Sequence, residues 1–295
     1  MPSHLRAPAS ALLVASTIAW SLRAQAPNGS ADLPGTLERI GEHVARYYAQ
    51  ARSVICTETV ILQPVTSTWS FEGPARELKY ELRVEWDPAP PGAPAREARV
   101  VRQLLTIGGR PPRPKDEPGC TDPKSVSPEP LAMLLPGRRE DYAFKWAGTT
   151  RSDGRRSVVL EYRSTGTKPA DIVWKDDCVT IDLPGRAEGR VWIDATTDDV
   201  LRLDEHLIGI FEFRVPREHS LGGRVNSMVV ERADSSIRYR SVPFYDPDET
   251  MMLPASIVTM TAIRGAGVQR LRMTQTFSNY RRFVTGGRIV KDVYE

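Results

Sequence analysis

The chain has 295 residues, of which 40% are hydrophobic, 40 are Lys or Arg and 37 are Asp or Glu. This composition excludes a disordered or collagen-like chain, and no apolar run approaches the roughly 20 residues that a membrane-spanning helix needs. A formal net charge of +3 is too small for the basic surface that non-specific nucleic-acid binding requires. We therefore expect no nucleic-acid partner.

The first 26 residues have the order of features found in secretory signal peptides. Arg6 supplies the basic start, residues 9–20 are apolar, and Ala-Gln-Ala at 24–26 is a small-residue cleavage motif. Cleavage after residue 26 would leave Pro27 at the new terminus, so cleavage after residue 24 is the alternative. A membrane anchor is the rival interpretation, but so short an apolar segment crosses only about half of a bilayer core. The sequence predicts a signal peptide over 1–26 and an exported protein, periplasmic or secreted.

Three cysteines lie in the part of the chain that would be exported, where an oxidising environment permits disulfides. Cys120 and Cys178 lie in the polar sequences DEPGCTDP and KDDCVT, whereas Cys56 lies in the apolar run SVICTETV. Loop cysteines can move to meet the geometry of a disulfide, and a cysteine in an apolar strand behaves as a small buried hydrophobe. We predict a disulfide between Cys120 and Cys178 and an unpaired Cys56.

A helix and three strands are predicted in the first third of the mature chain. Residues 34–52 carry apolar side chains at steps of three and four, which predicts an amphipathic helix. Residues 53–71 are rich in β-branched side chains and predict a strand, a turn and a second strand. Residues 77–86 then alternate without exception between charged and apolar side chains, as in an antiparallel strand with one buried face. The apolar members are Leu78, Tyr80, Leu82, Val84 and Trp86.

Further strand-like runs continue to residue 280. They cover residues 98–107, 142–150, 156–164, 189–194, 199–210, 227–233, 235–244, 256–265 and 268–280. Short turn sequences, such as SDG at 152–154 and GAG at 265–267, separate several of these runs and favour hairpins. We expect a meander of about ten antiparallel strands, in which strands that are neighbours in sequence are neighbours in space.

A proline-rich insertion covers residues 88–136 and contains twelve of the 24 prolines. Most of it cannot lie inside a sheet, because proline donates no ladder hydrogen bond. The segment PEPLAMLLP at 128–136 predicts a short apolar helix that lies over the sheet as a flap. No linker is long enough to separate two domains, so we expect one domain over residues 27–295.

Motifs of known catalytic or metal-binding chemistry are missing from the sequence. The four histidines are scattered, and His43 is expected on the solvated face of the helix. Serine-hydrolase, phosphate-loop and dinucleotide-binding motifs are absent. We expect no enzyme activity, no catalytic residue, no metal and no cofactor. The alternative is a carboxylate-dependent envelope hydrolase, for which Asp194 and Asp204 could face each other across one hairpin, beside Glu205.

Three patches resemble exported bacterial proteins of the superfamily that includes the LolA and LolB lipoprotein carriers. They are GRVWIDATTDDVLRLDEHL at 189–207, MLPASIVTMTAIR at 252–264 and RMTQTFSNYRRF at 272–283. The resemblance implies a mainly β, α+β fold in which a large antiparallel meander sheet curls into an unclosed barrel. An N-terminal amphipathic helix and a short flap helix partly cover its hollow, which accepts acyl chains. The proline-rich insertion and the three cysteines depart from the carrier pattern.

The leading hypothesis is a non-catalytic envelope protein that binds a lipid, a lipoprotein or another apolar ligand in the hollow of this half-barrel. Peripheral contact with a membrane is compatible with it. Runs such as ARVVRQLLTI carry apolar residues on both faces, and a second apolar face needs cover by a helix or by a ligand. The predicted lining residues are Leu78, Tyr80, Leu82, Val84, Trp86, Leu271 and Met273. The alternative is that these residues are ordinary core and that the helix and flap fill the hollow, which leaves a structural or protein-interaction module.

Overall fold

The computed structural model describes most of the chain between residues 32 and 282. The described ranges are 32–50, 54–85, 99–116, 129–166, 168–175, 178–220, 225–245, 248–265 and 268–282. The predicted signal peptide, Trp86 and Cys120 lie outside the described residues.

One α-helix, thirteen strands and three short 3-10 helices form the described part of the chain. The helix α1 is Leu33–Gln50, and the 3-10 helices are Glu129–Leu134, Arg139–Asp141 and Arg217–His219. The strands are β1 (Val54–Pro64), β2 (Arg76–Glu85), β3 (Arg99–Ile107), β4 (Tyr142–Ser152), β5 (Arg155–Ser164), β6 (Asp171–Lys175), β7 (Cys178–Asp182), β8 (Ala187–Asp194), β9 (Val200–Leu207), β10 (Phe211–Arg214), β11 (Ser227–Tyr245), β12 (Asp248–Arg264) and β13 (Val268–Arg282).

Eleven strands form one antiparallel sheet in the order β3-β2-β1-β13-β12-β11-β9-β8-β5-β4, with β10 added to one end of β11. The strands β6 and β7 form a separate hairpin. The large sheet is open, because β3 and β4 end it and are not paired with each other. The predicted mainly β, α+β fold, with a large unclosed antiparallel sheet and one N-terminal helix, is confirmed.

The expectation that sequence neighbours are spatial neighbours is wrong for β3 and β4, and the separate β6–β7 hairpin interrupts it between β5 and β8. The first strand, β1, lies between β2 and the last described strand, β13, and β3 and β4 lie at opposite edges of the sheet. Pairing on both sides satisfies the backbone of β1, which an edge position would leave half unpaired. The segment between β3 and β4 therefore connects the two edges, and it carries the 3-10 helix Glu129–Leu134 at the position of the predicted flap.

Other differences from the predicted elements also concern strands. The two runs predicted at 227–233 and 235–244 form one long strand, β11, and the strands β6, β7 and β10 were not predicted. The turn between β4 and β5 follows the prediction: Asp153 and Gly154 both have positive φ, 49° and 79°, as a tight two-residue hairpin turn requires.

The helix packs on the sheet face that carries the side chains of Val54, Cys56 and Glu58, which we call the inner face. The buried positions of α1 follow each other at steps of three and four, so one side of the helix meets the sheet. These positions are Leu37, Ile40, Val44 and Tyr47. Leu131, Met133 and Leu134 of the 3-10 helix join the same apolar cluster. The predicted flap therefore contributes to the core beside α1.

Candidate functional site

The predicted lining stripe of β2 lies on the inner face of the sheet. Leu78, Tyr80 and Leu82 are 0%, 4% and 1% exposed. The backbone of Val84 continues the same strand, and Trp86 lies outside the described residues. The alternation read from the sequence thus assigned the correct face to the three residues whose side chains are described.

The two predicted lining residues of β13 lie on the same face. Met273 pairs with Leu62 of β1 in the antiparallel register, and Leu271 pairs with Pro64. Directly opposed residues of an antiparallel pair point to one face, so Met273 and Leu62 are neighbours there. The side chains of Leu271 and Met273 are half-buried, as is that of Leu62.

The inner face carries two apolar clusters, and the predicted stripe divides between them. The larger one, the helix-covered cluster, contains Leu82 together with residues of α1, of the 3-10 helix Glu129–Leu134 and of most strands. The smaller one, the sheet-only cluster, consists of buried Val60, Leu78, Tyr80 and Ile107 with half-buried Leu62, Leu104 and Met273 packed against them. All of its members belong to β1, β2, β3 and β13. Within the described residues, no helix contributes to this second cluster.

A polar group lies on the inner face of β1, β3 and β13. Arg102 Nη2 donates a hydrogen bond to Glu58 Oε1 at 2.5 Å, and Gln275 Nε2 donates to the same oxygen at 2.8 Å. Glu58 and Gln275 are fully buried, and the Arg102 side chain is 8% exposed. The Arg102 guanidinium also lies over the ring of Tyr80, 5.0 Å from its centroid. Two donors and a stacking ring thus fix one carboxylate inside the protein.

Sequence reasoning missed this group, although one signal was present. Glu58 shares the strand parity of Cys56 and Val60, so the alternation that buries those two residues also buries a carboxylate. Burial raises the pKa of Glu58, and the Arg102 guanidinium and the Gln275 amide act in the opposite direction. Burial, followed by the nearby charge of Glu58, raises the pKa of the Cys56 thiol to about 12. Among the described residues, Glu58 Oε2 has no hydrogen-bond partner.

A small cavity of about 80 Å³ lies beside α1, lined in part by Leu131, Met251 and Met252. His43 and Asp199 also line it, and His43 Nε2 lies 2.8 Å from Asp199 Oδ1. Burial acts against the charge of Asp199, but hydrogen bonds from His43 and Thr197 hold its pKa below the ordinary value. The His43 side chain, expected to be solvated, is 27% exposed, because the β8–β9 turn brings the Asp199 carboxylate to this position. The contact ties the helix to the sheet.

The carboxylates named for a hydrolase are not brought together. Asp194 lies at the β8–β9 turn, where its Oδ1 accepts a hydrogen bond from the backbone N–H of Thr196 at 2.8 Å. Asp204 lies in β9 opposite Arg190, so the expectation that it faces Asp194 is wrong. Glu205, the next residue of the strand, points to the other face, where the Tyr162 hydroxyl donates to it at 2.9 Å.

The described residues contain neither a metal-ligand cluster nor a membrane-spanning helix. In them, no group of three or more His, Cys, Asp or Glu side chains is placed to hold a metal ion. No helix in the same ranges is long and apolar enough to cross a membrane.

The cysteines are placed in two different parts of the fold. Cys56 is a free, buried thiol on β1, as predicted. Cys178 begins β7. Since Cys120 lies outside the described residues, the disulfide between Cys120 and Cys178 stays a prediction.

The comparisons with known proteins return solved structures alone. No family model matches the chain, and no curated protein matches it. The chain is similar to the LolA superfamily protein NE2245 from Nitrosomonas europaea, at 9% identity and a TM-score of 0.39, over 85% of this chain and 94% of that chain. It is also similar to a DUF1329 family protein from Desulfovibrio piger, at 8% identity and a TM-score of 0.40, over 86% of this chain and 94% of that chain. One of these matches is named as a member of the LolA superfamily, the group to which three patches of the sequence bear a resemblance. The proposals below rest on the residues of this chain.

Proposed function

We propose that this chain is an exported, non-catalytic protein that binds an apolar ligand, such as a lipid or the lipid of a lipidated protein, on the inner face of its open sheet. The observation that supports binding is the sheet-only cluster, to which no described helix contributes. Apolar sheet surface is stable when a helix, a second sheet or a ligand covers it. The helix-covered cluster has such cover from α1 and the 3-10 helix. In the sheet-only cluster the half-buried side chains of Leu62, Leu104 and Met273 are the apolar surface that a ligand would cover.

The position of the sheet-only cluster fits the entry of a ligand from the side. It includes Ile107 and Leu104 of β3, the edge strand, and the Leu104 side chain on that edge strand is half-buried. Each methylene that leaves water contributes about 0.8 kcal/mol, so an alkyl chain of ordinary lipid length carries enough apolar surface to offset the cost of association. An acyl chain or another extended apolar group is the ligand class that this surface suits.

Export is part of the proposal and is supported by the signal-peptide features of residues 1–26. Expression of the full chain with a C-terminal tag, followed by fractionation and N-terminal sequencing, tests it. We expect a processed protein outside the cytoplasm, beginning at residue 25 or 27. An unprocessed protein in the cytoplasm would disprove export.

Binding is tested by titrating delipidated protein with diphenylhexatriene, a neutral apolar fluorophore. We expect saturable binding at one site per chain. If the chain fills its own hollow, as in the structural-module alternative, fluorescence should show no saturable phase.

A matched pair of methionine variants locates the site. Met273 of β13 belongs to the sheet-only cluster, whereas Met260 lies on β12 opposite Arg272 and therefore points to the other face. Met273→Gln should weaken probe binding about tenfold, which is about 1.4 kcal/mol, because a polar amide replaces an apolar contact. Met260→Gln should leave the affinity unchanged. Equal affinities for the two variants would place the probe elsewhere.

A further inference from the structure

Glu58 lies at the boundary between the two clusters of the inner face. Along β1, the inward neighbour on one side is Cys56, which belongs to the helix-covered cluster. The inward neighbour on the other side is Val60, which belongs to the sheet-only cluster. A ligand that lay along the sheet-only cluster with its end toward the helix would therefore bring that end to Glu58.

Both donors around Glu58 bind the same one of its two oxygens. Arg102 and Gln275 hydrogen-bond to Oε1, and the guanidinium charge favours the ionised carboxylate. Oε2 has no hydrogen-bond partner among the described residues, although its side chain is fully buried. A buried carboxyl oxygen without a partner destabilises a protein, and a donor that reaches it is correspondingly favoured.

We infer that Glu58 is the head-group subsite of the inner-face binding site, and that the ligand is an amphiphile whose head donates a hydrogen bond, a hydroxyl or an ammonium group. This inference rests on the proposed function. The apolar chain lies over the sheet-only cluster, and the head donates to Glu58 Oε2. An ether or ester head has no hydrogen to donate, and a carboxylate head brings a second negative charge. Both are disfavoured.

The inference is tested by competition against bound diphenylhexatriene with three ligands of equal chain length. Dodecanol and dodecylamine carry a donor head, and methyl dodecyl ether does not. With wild-type protein, the alcohol and the amine should displace the probe at concentrations about tenfold lower than the ether. This comparison needs no variant, so it does not depend on the folding of an altered chain.

Glu58→Gln supplies the second arm of the test. The amide oxygen keeps the place beside Arg102 and Gln275, because both are donors, and the NH2 group takes the place of Oε2. The preference for donor heads should then be lost, with the ether binding as well as the alcohol. Glu81→Gln is the matched control: Glu81 is on the opposite face of β2, bound by Arg83, and its substitution should leave the preference intact.

The outcomes separate this inference from the proposed function. If diphenylhexatriene binds and the alcohol and ether compete equally well against it in wild-type protein, the head-group subsite is disproved and apolar binding stands. If the probe does not bind at all, the proposed function fails, and the inference fails with it. A donor preference that persists in Glu58→Gln assigns the head group to another residue and overturns the inference.

Discussion

The helix-covered and sheet-only clusters are made of similar side chains on one face of one sheet, and they differ in what lies above them. The helix-covered cluster is closed by α1 and by the 3-10 helix Glu129–Leu134, whereas the sheet-only cluster has only sheet residues among its described members. Burial therefore does not distinguish core from the proposed binding surface: Leu82 and Leu78 are 1% and 0% exposed and belong to different clusters. The covering element makes the distinction, and we expect stability to depend chiefly on one cluster and ligand affinity on the other.

Arg102 at the boundary should give the largest effect on stability. Arg102→Leu leaves Glu58 buried without its counter-charge and should lower the free energy of unfolding by about 3–5 kcal/mol at pH 7, measured by urea denaturation. The control is Arg83→Leu, since Arg83 binds Glu81 on the exposed face of the neighbouring strand and its loss should leave stability nearly unchanged. If Arg102→Leu lowers the free energy of unfolding as little as Arg83→Leu does, water reaches Glu58 and screens its charge.

A pair of leucine truncations compares the clusters directly. Leu160 and Leu78 are both fully buried, the first in the helix-covered cluster and the second in the sheet-only cluster. Leu160→Ala should lower the free energy of unfolding by about 2–5 kcal/mol and leave the affinity of the folded protein for diphenylhexatriene unchanged. Leu78→Ala should lower both. If Leu160→Ala also lowers the affinity for diphenylhexatriene, the two clusters act as one core.

The pH dependence of stability should reveal the carboxylate between the clusters. Burial raises the pKa of Glu58 above its unfolded value of about 4.3. The folded state therefore binds more protons than the unfolded state between those two pKa values, and stability falls as the pH rises through this interval. Glu58→Gln lacks this titration, so the wild-type free energy of unfolding minus that of the variant should decrease from pH 4 to pH 8. A difference that is flat across this range would contradict the raised pKa.

The smallest expected effect concerns the Cys56 thiol, which we expect not to react in the folded protein. With the pKa of Cys56 at about 12, almost no thiolate is present at pH 8, and the side chain is buried. Ellman's reagent should find no reactive thiol in folded, non-reduced protein and one thiol per chain in denaturant. Peptide mapping of the same material should show Cys120 linked to Cys178. Fast reaction of Cys56 in the folded protein would mean that β1 opens to solvent.

The elements that the sequence predicted well are those whose pattern is local. The strand β2 was predicted at 77–86 and is Arg76–Glu85, because each of its residues reports the face to which it points. The helix was predicted at 34–52 and is Leu33–Gln50, since its apolar steps match the helical period. The strands β6 and β10 span five and four residues, too few for a period to be visible.

The features that the sequence did not predict depend on contacts between distant residues. The pairing of β1 with β13 has no local sign, because either strand could pair with any other strand of suitable length. The Glu58 group is a second example: its partners Arg102 and Gln275 lie 44 and 217 residues away, and only the register of three strands brings them together. The buried face of β2 could be read from alternation, whereas the division of its residues between two clusters required the position of the helix.

The place of β13 in the sheet also sets the order in which the molecule can fold. β13 alone joins the group β3-β2-β1 to the group that begins with β12, and it is the last described strand of the chain. During synthesis from the N-terminus, the growing polypeptide therefore holds two unfinished half-sheets, with β1 and β12 as free edges that attract wrong partners. Closure joins strands at opposite ends of the chain and is correspondingly slow. A polypeptide released before β13 cannot complete the sheet, so truncation near the C-terminus should be far more damaging than removal of a comparable edge strand.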